Sequence, residues 1–329
     1  MARLLCYFPP LLLSLLSLTI FNNDSCHSVM VEGFAGFGSA KAAGLSKNKK
    51  LKKPKKKQPP LDLSDPQGRM EHIANCIQRA DISSMGAMRN GRPMDPNAIC
   101  HVDNFLGAEL ITAMRAEAES LIPTMAPSQS TRWDEKTQSV ISYEKEKVLS
   151  TQVEGGAEGY AAAPRLVEYV VTLTQHLTEK INGIVPLEYQ LSGKEQTNKL
   201  AVCLGSGSKY DKHIDNLGGG DRRKMTALLY LQPPGSHADD ADKEENDPRG
   251  GYFRAYDVPE EGRVKVFAPR GDRLLLFWSD SLVHDVSPSF VQDEERDRRW
   301  ALTVWFVVED AATIWATDSE IERRHFGTG

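Results

Sequence analysis

Between Leu200 and Val308 the apolar residues fall in short runs at strand spacing, broken by Gly, Pro, Asp and Ser, and this limits the fold more than any other feature. Gly271-Asp-Arg-Leu-Leu-Leu-Phe-Trp-Ser-Asp280 and Arg299-Trp-Ala-Leu-Thr-Val-Trp305 both read as buried strands, rich in aromatic and aliphatic groups and bounded by turn formers. Two helices are expected upstream. Glu109 to Leu121 places Leu110, Ile111, Met114 and Leu121 on one face, and Pro164 to Ile184 does the same with Leu166, Val170, Leu173 and Leu177. A two-helix entry followed by roughly eight strands predicts a mainly β domain with flanking helices, closed as an antiparallel barrel-like sandwich. Internal repeats are absent.

Strand parity then singles out side chains. His213 and Asp215, in Tyr210-Asp-Lys-His-Ile-Asp-Asn216, stand two apart and leave a strand on the same face. His284, in Leu282-Val-His-Asp-Val286, supplies a third candidate ligand. Two imidazoles and one carboxylate on one side of a metal, with the opposite positions open, make the facial triad of non-haem Fe(II) oxygenases. Arg299, Ala301, Thr303 and Trp305 share one strand face, so Arg299 points inward. An inward guanidinium is costly without an acidic partner. The strand holds no such acid, whereas a bound dicarboxylate would serve.

Five segments, in order and spacing, resemble the prolyl 4-hydroxylase-type 2-oxoglutarate and Fe(II)-dependent dioxygenases, with the closest look to the oxygen-sensing prolyl hydroxylases. They are Leu200 to Asn216, Leu228 to Leu231, Gly250-Gly-Tyr-Phe-Arg254, Asp272 to Asp280 and Arg299 to Trp305. With the entry Val102-Asp-Asn-Phe-Leu106 they cover residues 98 to 310. The resemblance implies a double-stranded β-helix, the jelly roll of the cupins. It further implies Fe(II) on His213, Asp215 and His284, with 2-oxoglutarate and O2 completing the metal's positions and ascorbate (vitamin C) as reductant. Arg299 and Tyr230 are then expected to bind the distal carboxylate of 2-oxoglutarate, with Thr303 adding a hydroxyl. Tyr210, Trp305 and Cys203 are expected to line the pocket, and no catalytic side chain beyond the metal ligands is implied. The expected reaction hydroxylates a protein residue, proline foremost, as 2-oxoglutarate is decarboxylated to succinate. Another target residue, a small-molecule substrate, or a non-catalytic metal- or peptide-binding domain on the same scaffold are the alternatives.

Several features depart from that family. Cys203 stands where the oxygen-sensing enzymes carry a tyrosine, and the interval from His284 to Arg299 is long, which leaves Arg296 and Arg298 as rival anchors. Parity disfavours Arg298, which shares a face with Trp300 and Leu302. An arginine anchor suits the oxygen-sensing group, but the start of the chain suits the secreted collagen-modifying enzymes.

That start is an apolar run from Leu4 to Phe21, preceded by Arg3 and broken by Pro9, Pro10 and serines. It reads as a signal peptide into the secretory pathway and endoplasmic reticulum, leaving no stable membrane span after processing. Followed by Phe34 and Phe37 in an acid-poor stretch, it also resembles a bipartite plastid presequence. Lys47 to Lys57 holds eight lysines in eleven positions, a solvated linker or a nuclear-localisation-like patch. The first 57 residues carry a net +8, which leaves −13 for the rest of a chain whose formal total is −5. An acidic body argues against nucleic acid and permits a basic protein or peptide substrate. The acidic stretch 235–248, expected to be an exposed loop, points the same way. The five cysteines show no metal-ligand or disulfide spacing. The expected organisation is a leader and basic linker over 1–60, a connecting segment over 61–97, the oxygenase domain over 98–312 and a tail over 313–329.

Overall fold

The computed structural model describes residues 61–87, 95–134, 136–137, 139–216, 218, 220–234, 236, 247–256, 264–291, 293 and 297–314. The expected leader, the lysine run, most of the acidic loop and the tail beyond 314 lie outside the described residues, as does Arg296. No helix among the described residues is long and apolar enough to cross a membrane.

The strands are β1 (Ile99–Val102), β2 (Ala126–Asp134), β3 (Ser139–Thr151), β4 (Leu191–Cys203), β5 (Ser208–His213), β6 (Arg223–Tyr230), β7 (Phe253–Tyr256), β8 (Val264–Phe267), β9 (Leu274–Trp278), β10 (Val283–Ser289) and β11 (Arg299–Val308). They form a seven-stranded sheet, β1-β9-β6-β11-β4-β3-β2, and a four-stranded sheet, β5-β10-β7-β8. The pairings are antiparallel, and β4 to β11 supply the eight strands of a double-stranded β-helix. The fold is the expected one, mainly β with flanking helices.

The large sheet is covered on both faces, which is why its central strands read as unbroken apolar runs. Alternation sorts them. Leu274, Leu276 and Trp278, with Trp300, Leu302, Val304 and Phe306, pack into the larger core beneath the helices. Leu275, Phe277, Leu228, Tyr230 and Ala301 turn the other way and meet Phe253 and Phe267 of the small sheet. Each such side chain fully buried contributes roughly 1.5–3 kcal/mol. A slip of one residue would exchange the two cores, so the register that aims Arg299 inward is held by packing along the whole strand.

The helices are α1 (Pro66–Arg79), α2 (Ala108–Ser120), α3 (Gly156–Ala162) and α4 (Pro164–Asn182). The two expected helices therefore appear within about two residues of their predicted ends. Pro at the first position and the Asp65 carboxylate, which accepts from the Gln67 amide at 3.1 Å, start α1. Its Ile73, Cys76 and Ile77 enter the larger core beside Leu173 and Leu177 of α4. Arg69 clamps Glu168 of α4 through two hydrogen bonds of 2.7 and 2.6 Å, both groups buried. The stretch 61–97, read from sequence as a connection, thus contributes core.

Candidate metal and cosubstrate site

β5 and β10 run side by side with His213 opposite His284. Asp215 lies just past the end of β5, in a bend, so the pair His213 and Asp215 does not share a continuous strand as the spacing predicts. The three donors nevertheless converge, their ligand atoms all within 4.8 Å of one another. Asp215 Oδ1 stands 3.4 Å from His213 Nε2 and 3.7 Å from His284 Nε2. Donors sharing one small divalent ion at about 2.1 Å stand about 3–4 Å apart, so the cluster fits a metal with little adjustment.

The surroundings prepare each atom. His213 Nδ1 lies 2.7 Å from the Asp211 carbonyl and His284 Nδ1 lies 3.0 Å from the Leu282 carbonyl. A carbonyl accepts only, so each ring carries its proton on Nδ1 and turns a lone pair on Nε2 toward Asp215. His284 is wedged between Phe253 and Phe277, with ring centroids 5.0 and 4.8 Å away. Burial, then the neighbouring His213, push His284 down to about 4, which keeps its imidazole neutral. Burial raises the Asp215 carboxyl, but the neighbouring His213 and His284 and the Trp305 N–H outweigh it and hold the group well below the usual carboxylate range. Its second oxygen is committed elsewhere: Oδ2 accepts from Trp305 Nε1 at 2.9 Å and Thr226 Oγ1 at 2.8 Å. Oδ1 is left facing the histidines.

Deeper on the same sheet face lies Arg299, 3% exposed. It donates through Nε to the Gly251 carbonyl at 2.9 Å and through Nη2 to the Tyr230 hydroxyl at 3.2 Å. The Tyr230 and Tyr210 rings flank the guanidinium, their centroids 5.0 and 5.9 Å from Cζ. Among the described residues it has no carboxylate partner. A buried cation without an acid costs several kcal/mol, so this arrangement is built for an anion from outside the chain. Cys203, fully buried, is directly opposite Arg299 on β4.

The sequence expectations are thereby placed. His213, Asp215 and His284 meet; Arg299, Tyr230, Tyr210 and Cys203 meet nearby; Thr303 sits between Ala301 and Trp305 on the face joining the two groups. Trp305, expected as a pocket wall, also holds a ligand carboxylate. Sequence reasoning missed Thr226 and the Gly251 carbonyl. Thr226 was accessible in principle, since it shares strand parity with Leu228 and Tyr230.

Residues 199–307 match the family described as the 2OG-Fe(II) oxygenase superfamily. The matched segment contains His213, Asp215 and His284. Among curated proteins the chain is similar to Egl nine homolog 1 of Rattus norvegicus, 29% identical over 66% of this chain and 57% of that protein. It is also similar to the hypoxia-inducible factor prolyl hydroxylase of Caenorhabditis elegans, 28% identical over 63% of this chain and 26% of that one. The match thus spans about half the length of the Egl nine homologs. A solved prolyl hydroxylase from Trichoplax adhaerens, in complex with a hypoxia inducible factor oxygen degradation domain peptide fragment, aligns at 23% identity. It covers 79% of this chain and 99% of that one, with a TM-score of 0.49.

Proposed function

We propose that the chain is a 2-oxoglutarate- and Fe(II)-dependent dioxygenase that hydroxylates proline in a protein or peptide. The observation that carries this is the buried Arg299, without an acidic partner among the described residues, on the sheet face that leads to three convergent metal donors. When bound, Fe(II), 2-oxoglutarate and O2 supply an oxidant for C–H hydroxylation, with 2-oxoglutarate converted to succinate and CO2. His213, Asp215 and His284 would hold the ion. Arg299 and the Tyr230 hydroxyl would take the distal carboxylate of the cosubstrate through charge-assisted hydrogen bonds. Thr303, Cys203 and Tyr210 line the space between, while Trp305 and Thr226 fix the carboxylate of Asp215. Ascorbate serves as the reductant that keeps the iron ferrous. Proline as the target is supported by the Caenorhabditis elegans relative, which is named a prolyl hydroxylase.

Succinate release from 2-oxoglutarate by the purified full chain with Fe(II), with and without proline peptides, tests this reading. Arg299→Ala raises the KM for 2-oxoglutarate by about 30–160-fold, the equivalent of a lost charge-assisted hydrogen bond of about 2–3 kcal/mol. Arg298→Ala leaves it within about twofold, since that neighbour faces away. No succinate from the wild type, or an unchanged KM in Arg299→Ala, defeats the proposal.

A further inference from the structure

Two cations beside this site are unused by the chemistry above. Lys199 pairs in register with Thr303. Directly paired residues project to the same side of a sheet, so Lys199 leaves β4 on the face that carries Arg299, Thr303 and Trp305. Lys145, on β3, lies with Nζ 3.8 Å over the ring of Tyr210, whose ring also approaches Arg299. Both lysines are half-buried. Among the described residues neither has a carboxylate within ion-pair distance. Three other cations near the site are matched, Arg223 with Asp221, Lys209 with Asp211 and Arg254 with Asp285, while Lys212 lies with Nζ 3.9 Å over the ring of Tyr256. Burial, then the nearby Lys199, push Lys145 down to about 8.

Charge accounting shows what is missing. Fe(II) and the 2-oxoglutarate dianion cancel each other. Asp215 and Arg299 cancel as well. Lys145 and Lys199 remain, two half-buried positive charges beside Thr303 and Tyr210. We propose that Lys145 and Lys199 form a carboxylate-binding subsite, beside Thr303 and Tyr210, that takes an Asp or Glu side chain of the substrate peptide, close in sequence to the residue oxidised. The expectation of a basic peptide came from the acidity of the whole body, whereas the unmatched charges that face the site are positive. This rests on the oxygenase reading for the neighbouring iron and cosubstrate.

The test uses the full chain loaded with Mn(II) and 2-oxoglutarate. The probes are a labelled decapeptide with a central proline flanked by two glutamates on each side, and its glutamine counterpart. Fluorescence anisotropy should show the wild type binding the glutamate peptide at least about tenfold more tightly. That ratio falls toward one in Lys145→Gln and in Lys199→Gln, and it survives in the charge-preserving Lys145→Arg and Lys199→Arg. Equal binding of both peptides by the wild type overturns the proposal, as does a ratio retained in both glutamine variants. The free carboxylate source is tested by titrating 2-oxoglutarate. If the glutamine variants weaken its binding while the peptide ratio stays fixed, the lysines serve the cosubstrate and the subsite is refuted. Peptide discrimination without any succinate release would leave the subsite standing and remove the oxygenase reading instead.

Discussion

His213 and His284 are prepared by the same local device: each ring sits against the carbonyl of the residue two before it, Asp211 in one case and Leu282 in the other. The tautomer that exposes Nε2 is therefore set by the backbone of the strand that bears the histidine. Asp215 is oriented differently, by Trp305 and Thr226 from the opposite sheet. Calorimetry with Mn(II), a redox-inert stand-in for Fe(II), separates ligands from their supports. His213→Ala or Asp215→Ala should weaken binding at least about 100-fold. Trp305→Phe should cost about 10-fold, the scale of losing a hydrogen bond to a ligand. Unchanged affinity in both alanine variants would exclude these residues as ligands. Strand parity placed Arg299 inward because parity is local, whereas Asp215 reaches the histidines from a bend that parity does not describe. Lys199 was not legible in the sequence, because its meaning depends on standing opposite Thr303 across the sheet.

At the scale of elements, the unread part of the fold is the hairpin of β2 and β3. Its segment Ser142-Tyr-Glu-Lys-Glu-Lys147 lacks a continuous apolar face, so it gives no strand signal. It is a strand because it pairs with β2, with Tyr143 opposite Ser130 and Glu144 opposite Gln129, and because the end of β3 pairs with β4, with Val148 opposite Cys203 and Ser150 opposite Ala201. The helices were legible because their apolar stripes are long, yet the sequence did not show how α4 begins. Ala163 provides no side-chain cap. Glu117 of α2 supplies it, accepting from the amides of Arg165 at 3.0 Å and Leu166 at 3.0 Å, while Arg165 Nη1 pairs with the same carboxylate at 2.9 Å. This places a buried negative charge on the positive end of the helix. Glu117→Ala should lower stability by about 2–3 kcal/mol in urea unfolding, more than an exposed cap would. Glu117→Gln should recover part of that, since it keeps one acceptor. A loss under about 0.5 kcal/mol in Glu117→Ala would show that water replaces the carboxylate at that terminus.

For the unit from Leu61 onward, the large sheet separates two cores with different duties. The core between the sheets is small and surrounds the site, with Phe253 and Phe277 belonging both to it and to the wall around His284. The larger core lies under the helices and fixes the register of the strands that carry Tyr230, Arg299 and Trp305. α1 belongs to that second core, far from the site in sequence yet coupled to it through α4 and the sheet. Starting the chain at Ala98 instead of Leu61 would expose the face that Ile73 and Ile77 cover. It would also leave Glu168 buried without Arg69, and a buried charge stripped of its partner costs about 3–5 kcal/mol. Thermal melts of the two chains should differ by at least about 10 °C, the shorter one lower, a large share of what a domain of this size possesses. Should the shorter chain fail to fold at all, the Leu61 start carrying Arg69→Met isolates the ion pair. Its Tm should fall and its affinity for Mn(II) stay the same, because the clamp acts on the helical layer. An equal Tm for the Leu61 and Ala98 starts would mean that α1 is an appendage and that the sheet holds its register without it.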